Sequence, residues 1–176
     1  MQTYWTTKQM LMNTHILPAS LLLFAPVLLL ATLGQVHAED TPKTKPAIYD
    51  ESLDGSKQIA DALVRARKDG KHVLLQFGAN WCGWCHKLHS LFDADKSIAE
   101  ELKRNYVVVL IDVNKEHNQD VDTKYGHPMR LGLPVIVILD ADGRQLTTQD
   151  TGKLEEGDHH DPKKVLAFLR EWTPKK

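Results

Sequence analysis

The chain has 176 residues, and its 22 Lys and Arg stand against 23 Asp and Glu for a formal net charge of −1. This length suits one domain of ordinary size, and the even charge leaves no electrostatic footprint for nucleic acid. There are two cysteines, Cys82 and Cys85, so no second pair exists to close a four-cysteine zinc site.

Residues 1–38 have the pattern of a secretory signal. Lys8 precedes an apolar stretch from Ile16 to Leu33, and Val36-His37-Ala38 fits a small-residue cleavage site. Pro18 and Pro26 interrupt the apolar stretch. It is nevertheless long enough to serve uncleaved as a membrane anchor, which is the alternative. Cleavage would release a periplasmic or secreted protein. Residues 39–46, polar and proline-bearing, form an expected flexible leader, and 47–176 form the expected domain.

Within that domain, Ile59, Leu63 and Ala66 share one helical face and Gly70 suits a C-cap, predicting a helix near 56–69. The run 72–77 is apolar on both faces, as in a central strand covered on both sides. Trp84, Leu88, Leu91 and Phe92 predict a helix over 83–93. Ser97 and Glu100 match a capping box that opens a further helical piece to about 104. Tyr106–Val113 is a β-branched strand, 118–125 a short helix, and Pro134–Asp140 another buried strand. Asp140-Ala141-Asp142-Gly143 is a hairpin turn into an edge strand near 144–149. Asp161 and Pro162 cap and open a last helix whose buried face is Val165, Phe168, Leu169 and Trp172. Gly157-Asp158-His159-His160-Asp161 reads as a solvated loop ahead of that helix, although a His/Asp cluster is also a candidate for a transition metal. The order is α-β-α-β-α-β-β-α.

The chemistry lies in Trp81-Cys82-Gly83-Trp84-Cys85-His86. A strand delivering C-x-x-C to the start of a helix places the first thiol where partial positive charge and unpaired N–H groups stabilise a thiolate. The thiolate is the form that attacks disulfides. Cys82 is therefore the expected nucleophile, and Cys85, one turn in, the residue that resolves the mixed disulfide. As a mere staple the pair would stabilise little, because its loop is so short. Two other readings share these letters. C-x-x-C-H is the attachment signature of c-type haem, with His86 as axial ligand, but strands flank the motif where a mainly helical setting is normal. Cys82, Cys85 and His89 could converge on zinc or copper. A thiolate-tuning His86 is the simpler reading, because a nearby imidazolium lowers a thiol pKa. Trp84 is expected to pack on the helix face with Leu88.

Phe77–Leu88, Tyr106–Val113 and Gly132–Asp140, with the C-x-x-C followed by Gly132-Leu133-Pro134 and an apolar strand, resemble the thioredoxin superfamily. Secreted bacterial thioredoxin-like proteins with a W-C-G-W-C centre are the most similar branch. The resemblance covers about residues 47–174. It implies an α/β thioredoxin-like fold, a mixed central sheet flanked by helices on both faces. It implies a cis Pro134 facing the cysteines, with the backbone of Leu133 pairing with a bound substrate chain, and a surface position for Trp81 beside Cys82. Two departures stand out. Gln76 occupies the place of the family's buried acid, and Gly83-Trp84 replaces Gly-Pro between the cysteines. The implied activity is thiol–disulfide exchange with cysteine-containing secreted proteins. The expected protein is a monomer without cofactor or metal, and in an oxidising compartment a reductase needs electrons from a membrane redox partner. The alternative is a non-catalytic metal-binding or partner-docking module on the same fold.

Overall fold

The computed structural model describes residues 46–175. The expected signal segment and most of the leader lie outside them. Among the described residues no helix is long and apolar enough to cross a membrane.

Apolar runs become strands wherever both faces are covered. β1 (His72–Gly78) pairs in parallel with β2 (Tyr106–Asp112) on one side and antiparallel with β3 (Val135–Leu139) on the other. β4 (Gln145–Asp150) adds antiparallel to β3, so the sheet order is β2-β1-β3-β4. Leu74, Leu75, Phe77 and all of β3 are sealed from solvent, and each such side chain contributes about 1.5–3 kcal/mol by burial.

The strand period of two splits these residues between two cores. Val73, Leu75, Phe77, Val109, Ile111, Val135 and Val137 face α1 (Gly55–Asp69) and α4 (Gln119–Lys124), packing on Ile59, Ala62, Ala66 and Val121. Leu74, Ile136 and Ile138 face the opposite layer. There Leu88 and Phe92 come from α2 (Gly83–Ala94), Ile98 and Leu102 from α3 (Lys96–Asn105), and Val165, Phe168 and Leu169 from α5 (Pro162–Glu171). The result is the expected mixed sheet with helices on both faces.

Three local expectations need correction. The cap of α3 is Asp95, whose carboxylate accepts from Ser97 N at 2.9 Å and Ile98 N at 3.0 Å. Ser97 therefore lies inside the helix rather than capping it, although the two helical pieces expected over this stretch are both present as α2 and α3. Trp172 falls past the end of α5 as its C-cap residue. The segment around His159 and His160 is not a solvated loop. Glu155–Glu156 (β5) and His159–His160 (β6) form a two-stranded hairpin turned at Gly157, whose φ is 62°. This hairpin lies against α2.

The ladder registers bring the site together. β1 ends at Gly78, opposite Asp112 at the end of β2. Phe77 pairs with Val135, so Pro134 arrives level with that same end of β1, from which the chain turns into α2.

Candidate active site

α2 begins at Gly83 because Cys82 caps it. Cys82 is extended (φ −78°, ψ 104°), and its Sγ accepts from Cys85 N at 3.2 Å. The His86 N–H donates to the Cys82 carbonyl at 3.3 Å. The sulfur therefore lies among the free N–H groups at the positive end of the helix, with no acid in the first turn to oppose it. Cys82 and Cys85 are joined as a disulfide with Cα atoms 5.3 Å apart. Cys85 is fully buried, whereas Cys82 keeps 6 % of its surface, so an incoming sulfur can reach Cys82 alone.

The Leu133–Pro134 peptide is cis, and Leu133 packs on the cluster formed by Tyr49, Cys82 and Cys85. This loop approaches through Gly132 at φ 95°, a conformation that glycine adopts without a Cβ penalty.

The expected supporting residues take different places. Trp81 is 68 % exposed beside Cys82, and its Nε1 donates to Asn114 Oδ1 at 3.1 Å. Asn114 Nδ2 in turn donates to Glu51 at 3.0 Å. His86 is buried, and its Nε2 donates to the Asn80 carbonyl at 2.8 Å, which clamps the loop ahead of Cys82. His89 turns to Asp93, 3.6 Å away, rather than to the sulfurs. Among the described residues no three His, Cys, Asp or Glu side chains gather as a metal cage.

Trp84 does not pack as expected. Its ring meets His160 edge-on at 5.2 Å, and Lys87 Nζ lies 4.3 Å above it. Lys87 also donates to the Asp158 carbonyl. The β5–β6 hairpin is thereby fastened over the active-site helix.

His160 is the buried member of this contact. It is 2 % exposed, and neither ring nitrogen has a partner among the described residues. Burial pushes its pKa down from 6.5 to about 4, with Lys87 and His159 adding to the effect. Between these values the unfolded chain binds a proton that the folded chain refuses. Stability is therefore complete above 6.5, falls as the pH drops towards 4, and levels off below it. In urea unfolding, His160→Leu is expected to lose about 2 kcal/mol less than wild type between pH 7 and 5. Equal losses would show that His160 titrates normally.

Sequence reasoning did not find Tyr49. It is buried against both cysteines, and Gln76 Nε2 donates to its hydroxyl at 2.6 Å. The signal available was the pair of small or neutral residues, Gln76 and Gly78, on the strand ahead of the motif.

Comparison with known proteins agrees with this geometry. The thioredoxin-like domain family matches residues 59–157. The thiol:disulfide interchange protein DsbD of Vibrio vulnificus is 30 % identical over 91 residues, which is 52 % of this chain and 15 % of that protein. DsbD of Colwellia psychrerythraea is 31 % identical over 94 residues, 53 % of this chain and 15 % of that one. The chain thus spans about one-seventh of the length of these relatives. A disulphide isomerase from Xylella fastidiosa superposes with a TM-score of 0.65 at 29 % identity, covering 72 % of this chain and 96 % of that one. From the family match, the sheet order and the disulfide at the head of α2, the chain belongs to the thioredoxin-like family.

Proposed function

We propose that the protein is an exported thiol–disulfide oxidoreductase acting on cysteines of other secreted proteins. The observation that carries this reading is the asymmetry of the pair, in which Cys85 is sealed and Cys82 is both reachable and set at a helix N-terminus. In the reduced form the Cys82 thiolate attacks one sulfur of a substrate disulfide. A Cys82–substrate bond forms, the substrate S–S bond breaks, and the freed substrate thiolate takes up a proton. Cys85 then loses its proton and attacks Cys82. The internal disulfide forms, the electron pair leaves with the second substrate sulfur, and that sulfur is protonated. Two electrons pass to the substrate in the full cycle. Net direction follows from the potential of the pair relative to its compartment.

The relatives named for thiol:disulfide interchange and for disulphide isomerase support this reaction class. The pattern of residues 1–38 supports export to the periplasm or beyond, where disulfides persist. The exposed Trp81 and the Leu133 backbone leading into cis-Pro134 favour an extended peptide partner. Returning electrons from a membrane redox partner would complete the cycle. The test is reduction of insulin disulfides with dithiothreitol as electron source. The protein is expected to accelerate insulin precipitation well above the dithiothreitol background, and a rate equal to background would refute the proposal.

A further inference from the structure

Tyr49 enters the site from outside the motif. The segment ahead of α1 is clasped by Asn80, whose Oδ1 accepts from Ile48 N and Tyr49 N, both at 2.9 Å. Asn80 Nδ2 donates to the Tyr49 carbonyl at 2.9 Å. Held this way, Tyr49 is 3 % exposed and shares one apolar cluster with Cys82 and Cys85. Its hydroxyl lies over Gly78. A Cβ at Gly78 would collide with that hydroxyl and lie 2.6 Å from Cys85 Sγ, so both atoms border the space a side chain would have filled. Gln76 decides how the hydroxyl is used. Because its Nε2 donates to Tyr49 Oη, the oxygen is the acceptor in that bond and its own proton is left for another partner.

We propose that, in the reduced protein, the Tyr49 hydroxyl donates a hydrogen bond to the Cys85 sulfur and stabilises its thiolate for the attack on Cys82. The inference deepens the oxidoreductase reading and rests on it for its role in turnover. The proton of Cys85 ends on the departing substrate sulfur, the Cys82–Cys85 bond forms as the Cys82–substrate bond breaks, and Tyr49 keeps its own proton throughout. It can do so because burial pushes the phenol pKa well above 10.0. The Gln76 bond partly offsets that rise, and the Asp112 carboxylate adds to it. Tyr49 shares the cluster with Cys85; neutral Gln76 on β1 bonds the phenol, the Asp112 carboxylate at the end of β2 acts on it through its charge, and His86 follows Cys85 on α2 with its Nε2 taken by Asn80. Charge-assisted bonds of this kind are about twice as strong as neutral ones.

In the Cys82→Ser variant Cys85 is the sole thiol, and ultraviolet absorbance of the thiolate gives its pKa directly. Adding Tyr49→Phe, which keeps the ring and removes the donor, is expected to raise that pKa by about one unit, or tenfold in thiolate. With both cysteines present, Tyr49→Phe should slow release of substrate from the Cys82 mixed disulfide about tenfold at neutral pH, with the deficit shrinking at alkaline pH. Gln76→Met, which frees the hydroxyl to turn away, should shift the Cys85 pKa in the same direction. A Cys85 pKa unmoved by these substitutions would overturn the inference. The titration needs no partner. A shifted pKa without insulin reduction would overturn the proposed function alone, whereas normal reduction with an unmoved pKa would overturn the role of Tyr49 alone.

Discussion

Cys82→Ser is expected to abolish disulfide exchange, lowering the dithiothreitol-driven reduction of insulin by at least about a thousandfold, to the uncatalysed rate. The loss follows from position. Cys82 is the sulfur with residual exposure, and it alone caps α2, where unpaired N–H groups lower the free energy of a thiolate. Serine preserves the cap, since its hydroxyl can also accept from the Cys85 N–H, so the fold should persist while the nucleophile is gone. Cys85→Ser differs, because the first attack remains and only resolution is lost. The two variants should therefore both stop turnover but separate in rapid alkylation, which Cys85→Ser retains and Cys82→Ser loses. Retained insulin reduction by Cys82→Ser would mean that the chemistry lies elsewhere.

Gly78→Ala is expected to destabilise the oxidised protein by about 2–3 kcal/mol, with a fall in melting temperature on the order of 10 °C. Gly78 does not have a positive φ among the described glycines, so alanine faces no backbone penalty there. The cost comes from space, because the added methyl would overlap the Tyr49 hydroxyl and approach Cys85 Sγ to 2.6 Å. One of them must move, and either movement opens the cluster of Tyr49, Cys82 and Cys85. The companion substitution Tyr49→Ala should be less harmful in the Gly78→Ala background than in wild type, giving a favourable coupling in a double-mutant cycle. Equal stability of Gly78→Ala and wild type would show that this contact is loose.

The sheet and helices were legible because their signals are long. β1 and β3 are unbroken apolar runs, and α1, α2 and α5 repeat apolar residues at helical spacing between recognisable caps. The cysteine pair was legible because C-x-x-C spans one helical turn, and the cis bond at Leu133–Pro134 followed from resemblance rather than from spacing. The misses have a common physical origin in short or distant contacts. Asp95 and Ser97 are both good cap residues, and the choice between them depends on where the chain leaves α2. The β5–β6 hairpin has two residues per strand, too few to show a period. His160 sits among Asp158, His159 and Asp161, which mark a solvated stretch, yet Trp84 from another element buries it. Tyr49 is 33 positions from Cys82, and only the folded chain shows that Asn80 draws it over the sulfurs. Gln76 looked like a lost acid, but in the structure it is the donor that orients a phenol.

Mixing reduced Cys85→Ser protein with a peptide that contains one disulfide, and measuring the intact mass, shows whether Cys82 is the attacking sulfur. A stable one-to-one adduct should form through Cys82, be released by dithiothreitol, and be absent when Cys82 is also replaced by Ser. A Cys85→Ser protein that forms no adduct while its Cys82 thiol is free and the fold intact would contradict the account.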